Sequence, residues 1–283
     1  MRAPLSLLVL LLAAPQTSLG PDSRAALVWG PSVVAAQEIA APDTFTITSK
    51  AVGEPRLINV HLPAGYSAGG GARYPVLYMP DGGMNEDLPH VAKTVDSLTA
   101  LGKIRPVIIV GVPNTERRRD LTGPTRVKED SAIAPRVGGS NAFRRFIAEE
   151  LIPEVDRRYR TTTERSIIGE SLAGLFIVET FLLTPQLFDH YVALDPSLWW
   201  DGGSLTASAQ SRLAAFDSRS RSIYLASSNV TEIATPTAQV AELIGRSGKR
   251  VRSTYLPRPD LTHATIYLAL APESLVFALG AGR

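Results

Sequence analysis

The chain has 283 residues, no cysteine, 45% hydrophobic and 20% charged residues, and a formal net charge of +2. That balance excludes a disordered chain and gives no reason to expect nucleic acid, since no basic stripe is interleaved with aromatics. It also rules out disulfides, thiolate metal sites and a cysteine-linked lipid anchor.

The first residues, "MRAPLSLLVLLLAA", set one arginine before an apolar run from Leu5 to Ala14 that is too short to span a bilayer. The following Ala-, Pro-, Ser- and Gly-rich stretch fits no folded element. "VVAAQ" places small residues at Val34 and Ala36, so cleavage is expected after Ala36. Residues 1–36 are therefore expected to be a signal peptide with its removed or disordered N-terminal segment, and residues 37–283 one domain. Export follows as an expectation, periplasmic or extracellular, with no stable membrane insertion after cleavage.

"TFTITSKAV" and "RLINVHLPAGY" alternate apolar and polar residues and predict two antiparallel strands. "YPVLYMPDGG" and "IRPVIIVGVP" are continuous aliphatic runs ending in Gly and Pro, the pattern of strands buried on both faces. Between them "EDLPHVAKTVDSLTALGK" has helical spacing. "SNAFRRFIAEELIPEVDRRY" predicts an amphipathic helix capped by Ser140 or Asn141. "RSIIGES" predicts a buried strand, "LAGLFIVETFLLTP" an apolar helix, and "DHYVALDPS" and "SIYLASSNV" two further strands. Helices are predicted near 205–216 and 235–247, "VRSTYLP" as a last strand, and "HATIYLALAPESLVFAL" as the closing helix. This order predicts a three-layer α/β/α sandwich with a mostly parallel central sheet and antiparallel N-terminal strands. Its ligand site should lie at the carboxyl ends of the strands.

Ser171 stands at such an end, where "SIIG" runs into "LAGLFIVETF". A nucleophile elbow needs a sharp strand-to-helix turn with small residues two before and two after the serine. Here these are Gly169 and Ala173, the second in place of the commoner glycine, with Gly174 following. The competing reading is a serine that only caps the helix. In chains with this elbow the acid follows the serine and the histidine comes last. That order eliminates His61 and His90, and His190 falls at the wrong end of the sheet. His263 remains, after the last strand, as the general base. Glu232, after the strand "SIYLASSN", is the natural acid. Asp260, Asp195 and a dyad without an acid stay open, because the chemistry needs only a group that fixes the imidazole tautomer. The oxyanion donors are expected to be the Leu172 amide and one from "PDGG", Gly83 or Met84.

With these residues in view, the chain resembles the esterase family that includes esterase D and the enterochelin (siderophore) esterases. "YPVLYMPDGG", "ERRRDLTGP", "IIGESLAGLFIVETFL", "FDHYVALDPSLWW" and "HATIY" carry the resemblance. It implies an α/β-hydrolase fold, serine esterase chemistry, and neither metal nor cofactor. By matching position it implies Ser171 as nucleophile and His263 as base, with Asp195, Ser197, Trp199 and Trp200 lining or supporting the substrate cleft. "GESLAG" departs from the commoner "GHSLGG" and sets the carboxylate of Glu170 beside the nucleophile. "TERRRD", Thr115 to Asp120, reads as a solvated charged loop with anion binding as its rival. The expected function is hydrolysis of small-molecule carboxylic esters through an acyl-enzyme, siderophore-type esters among them. An acyltransferase and a non-catalytic binding protein on the same fold are the alternatives.

Overall fold

A computed structural model describes residues 41–280 except residue 69. The proposed signal segment, 1–36, lies outside the described residues.

Among the described residues eight strands form one sheet in the order β1-β2-β4-β3-β5-β6-β7-β8. They are β1 (Asp43–Thr48), β2 (Pro55–His61), β3 (Tyr74–Pro80), β4 (Ile108–Val112), β5 (Thr161–Glu170), β6 (His190–Leu194), β7 (Arg221–Ser227) and β8 (Val251–Pro257). The pairs β1–β2 and β2–β4 are antiparallel, and the remaining five pairs are parallel. All the strands predicted from the sequence are present.

The helices divide by face. Helices α1 (Leu88–Ala100) and α9 (His263–Leu279) pack on one side, where Val91, Val95, Leu270 and Leu275 meet Leu77, Met79 and Ile168 of the sheet. The other side carries α4 (Ser140–Arg145), which continues through a π-helical stretch (Phe146–Leu151) into α5 (Ile152–Arg158), and α6 (Leu172–Leu183), α7 (Trp200–Ala214) and α8 (Thr231–Arg246). There Phe143, Phe146, Phe176 and Phe181 pack on Val76, Tyr78 and Ile167. Neighbours such as Ile167 and Ile168 serve opposite faces, the period-two consequence of strand geometry. Two short helices, α2 (Arg117–Leu121) and α3 (Lys128–Ser131), lie between β4 and α4.

Two sequence expectations need correction. Neither Ser140 nor Asn141 caps α4: Gly139 holds that position, and the Ser140 hydroxyl is buried without a partner. "TERRRD" is not a solvated loop. Arg119 reaches back to Glu54 at 2.7 Å and Asp120 at 2.7 Å, while Arg56, stacked over Phe143 and Phe146, meets Asp120 at 2.5 Å. These buried cations are tolerable because each is paired.

Among the described residues no helix is long and apolar enough to cross a membrane.

Candidate active site

At the end of β5 the chain turns sharply into α6, and Ser171 takes φ 63°, ψ −120°. A non-glycine residue with that backbone is strained and persists only when its surroundings hold it there. The Ser171 N–H donates to the Leu194 carbonyl at 3.0 Å, and its own carbonyl accepts from Ser197 N at 3.1 Å and Leu175 N at 2.9 Å. The small neighbours have separate reasons. A Cβ on Gly169 would fall 2.6 Å from the Ala173 methyl, and one on Gly174 would fall 3.0 Å from the Leu194 carbonyl and from Pro196. Ala173 itself is fully buried and fits because Gly169 leaves it room. The methyl that departs from the common pattern is accommodated within the elbow.

Ser171 occupies the N-cap position of α6, yet its side chain makes no capping hydrogen bond. The hydroxyl instead lies 3.0 Å from His263 Nε2. His263 opens α9, where Thr262 and Thr265 form a reciprocal capping box that fixes the helix start. On the far side of the ring, Nδ1 lies 2.6 Å from Asp195 Oδ2. Asp195 follows β6 with φ 47°, has no exposed surface, and accepts from Ser228 N at 2.6 Å and Ser228 Oγ at 2.7 Å. Serine, imidazole and carboxylate thus form one hydrogen-bonded chain at the carboxyl ends of β5, β6 and β8.

The acid expected from sequence is corrected here. Glu232 sits exposed in the first turn of α8, and no hydrogen bond or ion pair joins it to His263 among the described residues. Asp260 is also exposed and is held by Arg258 at 2.6 Å. The acid on the imidazole is Asp195, one strand earlier than the motif order suggested. The other histidines serve elsewhere: His61 meets Asp96 at 2.9 Å, His90 stacks edge-on against Tyr267, and His190, at the amino end of β6, bridges Ser222 and Glu164.

Glu170, the last residue of β5, is the feature least anticipated. Its Oε1 lies 3.2 Å from His263 Nδ1, yet it is buried without a hydrogen-bond partner, because the Nδ1–H is aimed at Asp195. Burial, with the charge of nearby Asp195 adding to it, pushes the Glu170 carboxyl up to about 7 against the pull of His263 and Arg117. The hydrogen bond to Asp195 and the charge of Glu170 raise His263 above its ordinary 6.5, against desolvation. Glu170, Asp195 and His263 offer donor atoms within 4.8 Å of one another. The Asp195 oxygens and the His263 Nδ1–H already bond within the protein, and Glu170 stands beside that hydrogen-bonded chain without joining it.

The loop after β3 faces the same sheet edge. Asp81, with φ 55°, is gripped by Arg117 through two bonds of 2.7 and 2.8 Å and by Asn114 at 2.5 Å. The Gly83 N–H donates to Glu86 Oε2 at 2.7 Å, so Gly83 is not a free oxyanion donor. Among the described residues the Met84 amide has no such internal partner. The Leu172 amide opens α6 and is one of the first-turn donors a helix leaves unpaired. Of the aromatic pair, Trp199 is 37% exposed, whereas Trp200 is 4% exposed and its Nε1–H donates to the Gly123 carbonyl at 2.8 Å. Trp200 is thus a brace under the cleft and not part of its open surface. Ser197, also buried, acts through its backbone on Ser171.

A model of the family described as "Putative esterase" matches residues 49–257. The chain belongs to that family. Among solved structures of the esterase fold, an IroE-like serine hydrolase from Shewanella oneidensis superposes with a TM-score of 0.74 at 25% identity, covering 84% of this chain and 78% of that one. The BES protein of Bacillus cereus gives 0.75 at 20% identity, over 85% and 96% of the two chains. The α/β-hydrolase architecture with its antiparallel leading strands is therefore shared. In sequence the chain is 33% identical over 148 residues to the ferri-bacillibactin esterase BesA of Bacillus subtilis, 46% of this chain and 50% of that protein. It is 31% identical over 164 residues to the siderophore triacetylfusarinine C esterase of Aspergillus fumigatus, 53% of each. The chain spans about half the length of these curated relatives.

Proposed function

We propose that this chain is an exported serine hydrolase that cleaves carboxylic esters of the siderophore type. The observation that carries the reading is the chain Ser171 Oγ, His263, Asp195, at 3.0 and 2.6 Å, with Ser171 on a backbone of φ 63°. A serine that merely capped a helix would spend its hydroxyl on the backbone.

In the reaction, Ser171 Oγ attacks the ester carbonyl carbon while its proton passes to His263 Nε2. The carbonyl π pair moves onto oxygen, and the Leu172 and Met84 amides are the donors offered to that charge. Asp195 holds Nδ1–H and with it the tautomer that leaves Nε2 free to accept. Collapse of the adduct breaks the C–O bond. The alcohol leaves with the proton returned by Nε2, and the acyl group stays on Ser171. Water then repeats the sequence, giving its proton to His263 and releasing the carboxylic acid.

The siderophore class rests on the names of the relatives and on one local feature. Beside the loop that holds Asp81, a cleft of about 550 Å³ is walled by Arg117, Arg118, Arg119, Arg136 and Glu116, next to the triad residues but not lined by them. Arg117, Arg119 and Arg136 are neutralised by Asp81, Glu54 and Glu116, whereas Arg118 is exposed with no side-chain ion pair among the described residues. One unspent cation suits an anionic ester. Export rests on the arginine-led apolar run at the N-terminus.

The test is covalent labelling with a fluorophosphonate. The wild-type protein is expected to label on Ser171, Ser171→Ala not at all, and His263→Ala very slowly. Full labelling of Ser171→Ala would overturn the assignment. A panel of siderophore and simple alkyl esters, with a competing alcohol present, reads out the substrate class and separates hydrolysis from acyl transfer.

A further inference from the structure

The esterase motif explains the serine and the histidine but leaves a carboxylate over. Glu170 is the last residue of β5, directly before Ser171. A glutamate there is an unfavourable choice unless it has work to do: its side chain is only 16% exposed and one oxygen is buried with no hydrogen bond. Burying a carboxylate without compensation is costly. The structure offers Glu170 one close cationic partner in the making, the His263 ring, whose Nδ1 is 3.2 Å away.

The geometry points to Glu170 as a second acidic partner of His263, a positioning residue that shares with Asp195 the stabilisation of the imidazolium formed during acyl transfer. This rests on the serine-hydrolase reading above. Two carboxylates converge on one nitrogen. Asp195 Oδ2, at 2.6 Å, lies on the N–H direction and is fixed by Ser228. Glu170 Oε1, at 3.2 Å, lies off it and acts through charge. While the imidazole is neutral, Glu170 gains little from it. When Nε2 takes the serine proton, the positive ring lies in ion-pair contact with both acids. A small tilt of the ring would turn Nδ1–H from Asp195 to Glu170, so Glu170 also stands ready as a reserve acceptor.

The surroundings favour that role. On α9, His263 and the buried Tyr267 face Glu170; Asp195 approaches from the turn after β6, Arg117 from α2 and Asp87 from the loop after β3, while Asp81 of that loop acts on Tyr267 and Arg117. Arg117 is already bonded twice to Asp81, so it does not satisfy Glu170. Among these groups only His263 changes charge during the cycle and lies within ion-pair distance of Glu170 Oε1. Burial pushes Glu170 up to about 7, so its ionisation overlaps the range in which the imidazole must be neutral to act as base.

The experiment compares wild type, Glu170→Gln, Glu170→Asp, Asp195→Asn and the double variant Asp195→Asn/Glu170→Gln. It uses kcat/KM against pH for an activated ester and the His263 titration followed by NMR of the ring nitrogens. Replacing Glu170 by glutamine is expected to move the His263 midpoint, and the acid limb of kcat/KM with it, down by roughly 0.5–1 pH unit. The double variant should be at least about tenfold slower than Asp195→Asn alone, a loss larger than Glu170→Gln causes on the wild-type background. Glu170→Asp should recover part of the midpoint shift. An unmoved midpoint together with equal losses on both backgrounds would overturn the proposal. A wild-type protein that neither labels nor turns over esters would overturn the hydrolase reading, while the NMR midpoints would still decide whether Glu170 and His263 are coupled.

Discussion

Asp195 Oδ2 lies 2.6 Å from His263 Nδ1, and the carboxylate that carries it has no exposed surface. A buried acid held by Ser228 on one side and an imidazole on the other cannot be moved without leaving a charge unpaired. Asp195→Asn should keep the shape and lose the tautomer. A lone triad acid replaced in this way costs about 10⁴-fold in kcat. With Glu170 still beside the ring, the loss is expected to be smaller, about 10²–10³-fold. Glu232→Gln should leave kcat within about twofold. Steady-state kinetics on both variants checks the assignment, and a large loss at Glu232 would refute it.

Much of this site is legible in the sequence. Ser171 and His263 were legible because strand-to-helix junctions and chain order leave few alternatives, and only four histidines compete. Asp195 stands among the acids the sequence leaves open, but behind Glu232. The usual order pointed beyond β7, and no sequence pattern reveals that Asp195 N–H bonds to the Ala226 carbonyl, at 2.9 Å, and so points its carboxylate at Ser228. Two adjacent strands make that contact, and only their register discloses it. The Gly83 amide was misjudged for a similar reason: its acceptor, Glu86, is a nearby side chain that folds back, which spacing alone does not show. Glu170 stood out as a departure from the common motif, but its partner is 93 residues away.

The acid side of the pH–rate profile follows from His263. Serine activation needs the neutral imidazole, and the hydrogen bond to Asp195 favours the protonated one. Activity should therefore fall as pH drops through a midpoint above the ordinary histidine value of 6.5. A kcat/KM profile between pH 5 and 9 locates that midpoint, and a value below 6 would contradict the geometry.

Stability should carry the signature of Glu170. Its folded-state pKa, about 7, lies above the ordinary 4.5, so between those values the folded protein holds a proton that the unfolded chain has released. Stability from this group is then fully present below about pH 4.5 and is lost as pH rises through 7. Glu170→Gln removes the loss. Relative to wild type it should gain about 1–3 kcal/mol more at pH 8 than at pH 4.5. Urea unfolding at the two pH values measures it, and an equal difference at both would show that the burial cost is absent.

The elbow predicts an asymmetry between its small residues. Gly169→Ala forces a methyl to within 2.6 Å of Ala173, an overpacking that should cost about 1–3 kcal/mol and slow fluorophosphonate labelling as Ser171 shifts. Ala173→Gly restores the commoner pattern in the first turn of α6 and removes one fully buried methyl. It should cost about 1 kcal/mol and leave the labelling rate within about threefold. Equal effects from the two changes would mean that Gly169 is not what makes room for the turn.

The two adjacent tryptophans should separate binding from folding. Trp200 is buried, and its Nε1–H bond to Gly123 ties α7 to the segment between α2 and α3. Trp200→Phe removes that donor and leaves a buried carbonyl unpaired, which costs about 1–3 kcal/mol. In a domain of this size that lowers Tm by several degrees. Trp199, four residues after Asp195, presents 37% of its surface to solvent, and an exposed aromatic face suits an apolar or aromatic part of an ester. Trp199→Ala should leave Tm within about 2 °C and raise KM for aromatic esters about tenfold with kcat little changed. Thermal melts and initial rates on both variants distinguish the brace from the platform, and a Tm loss confined to Trp199→Ala would reverse the two roles.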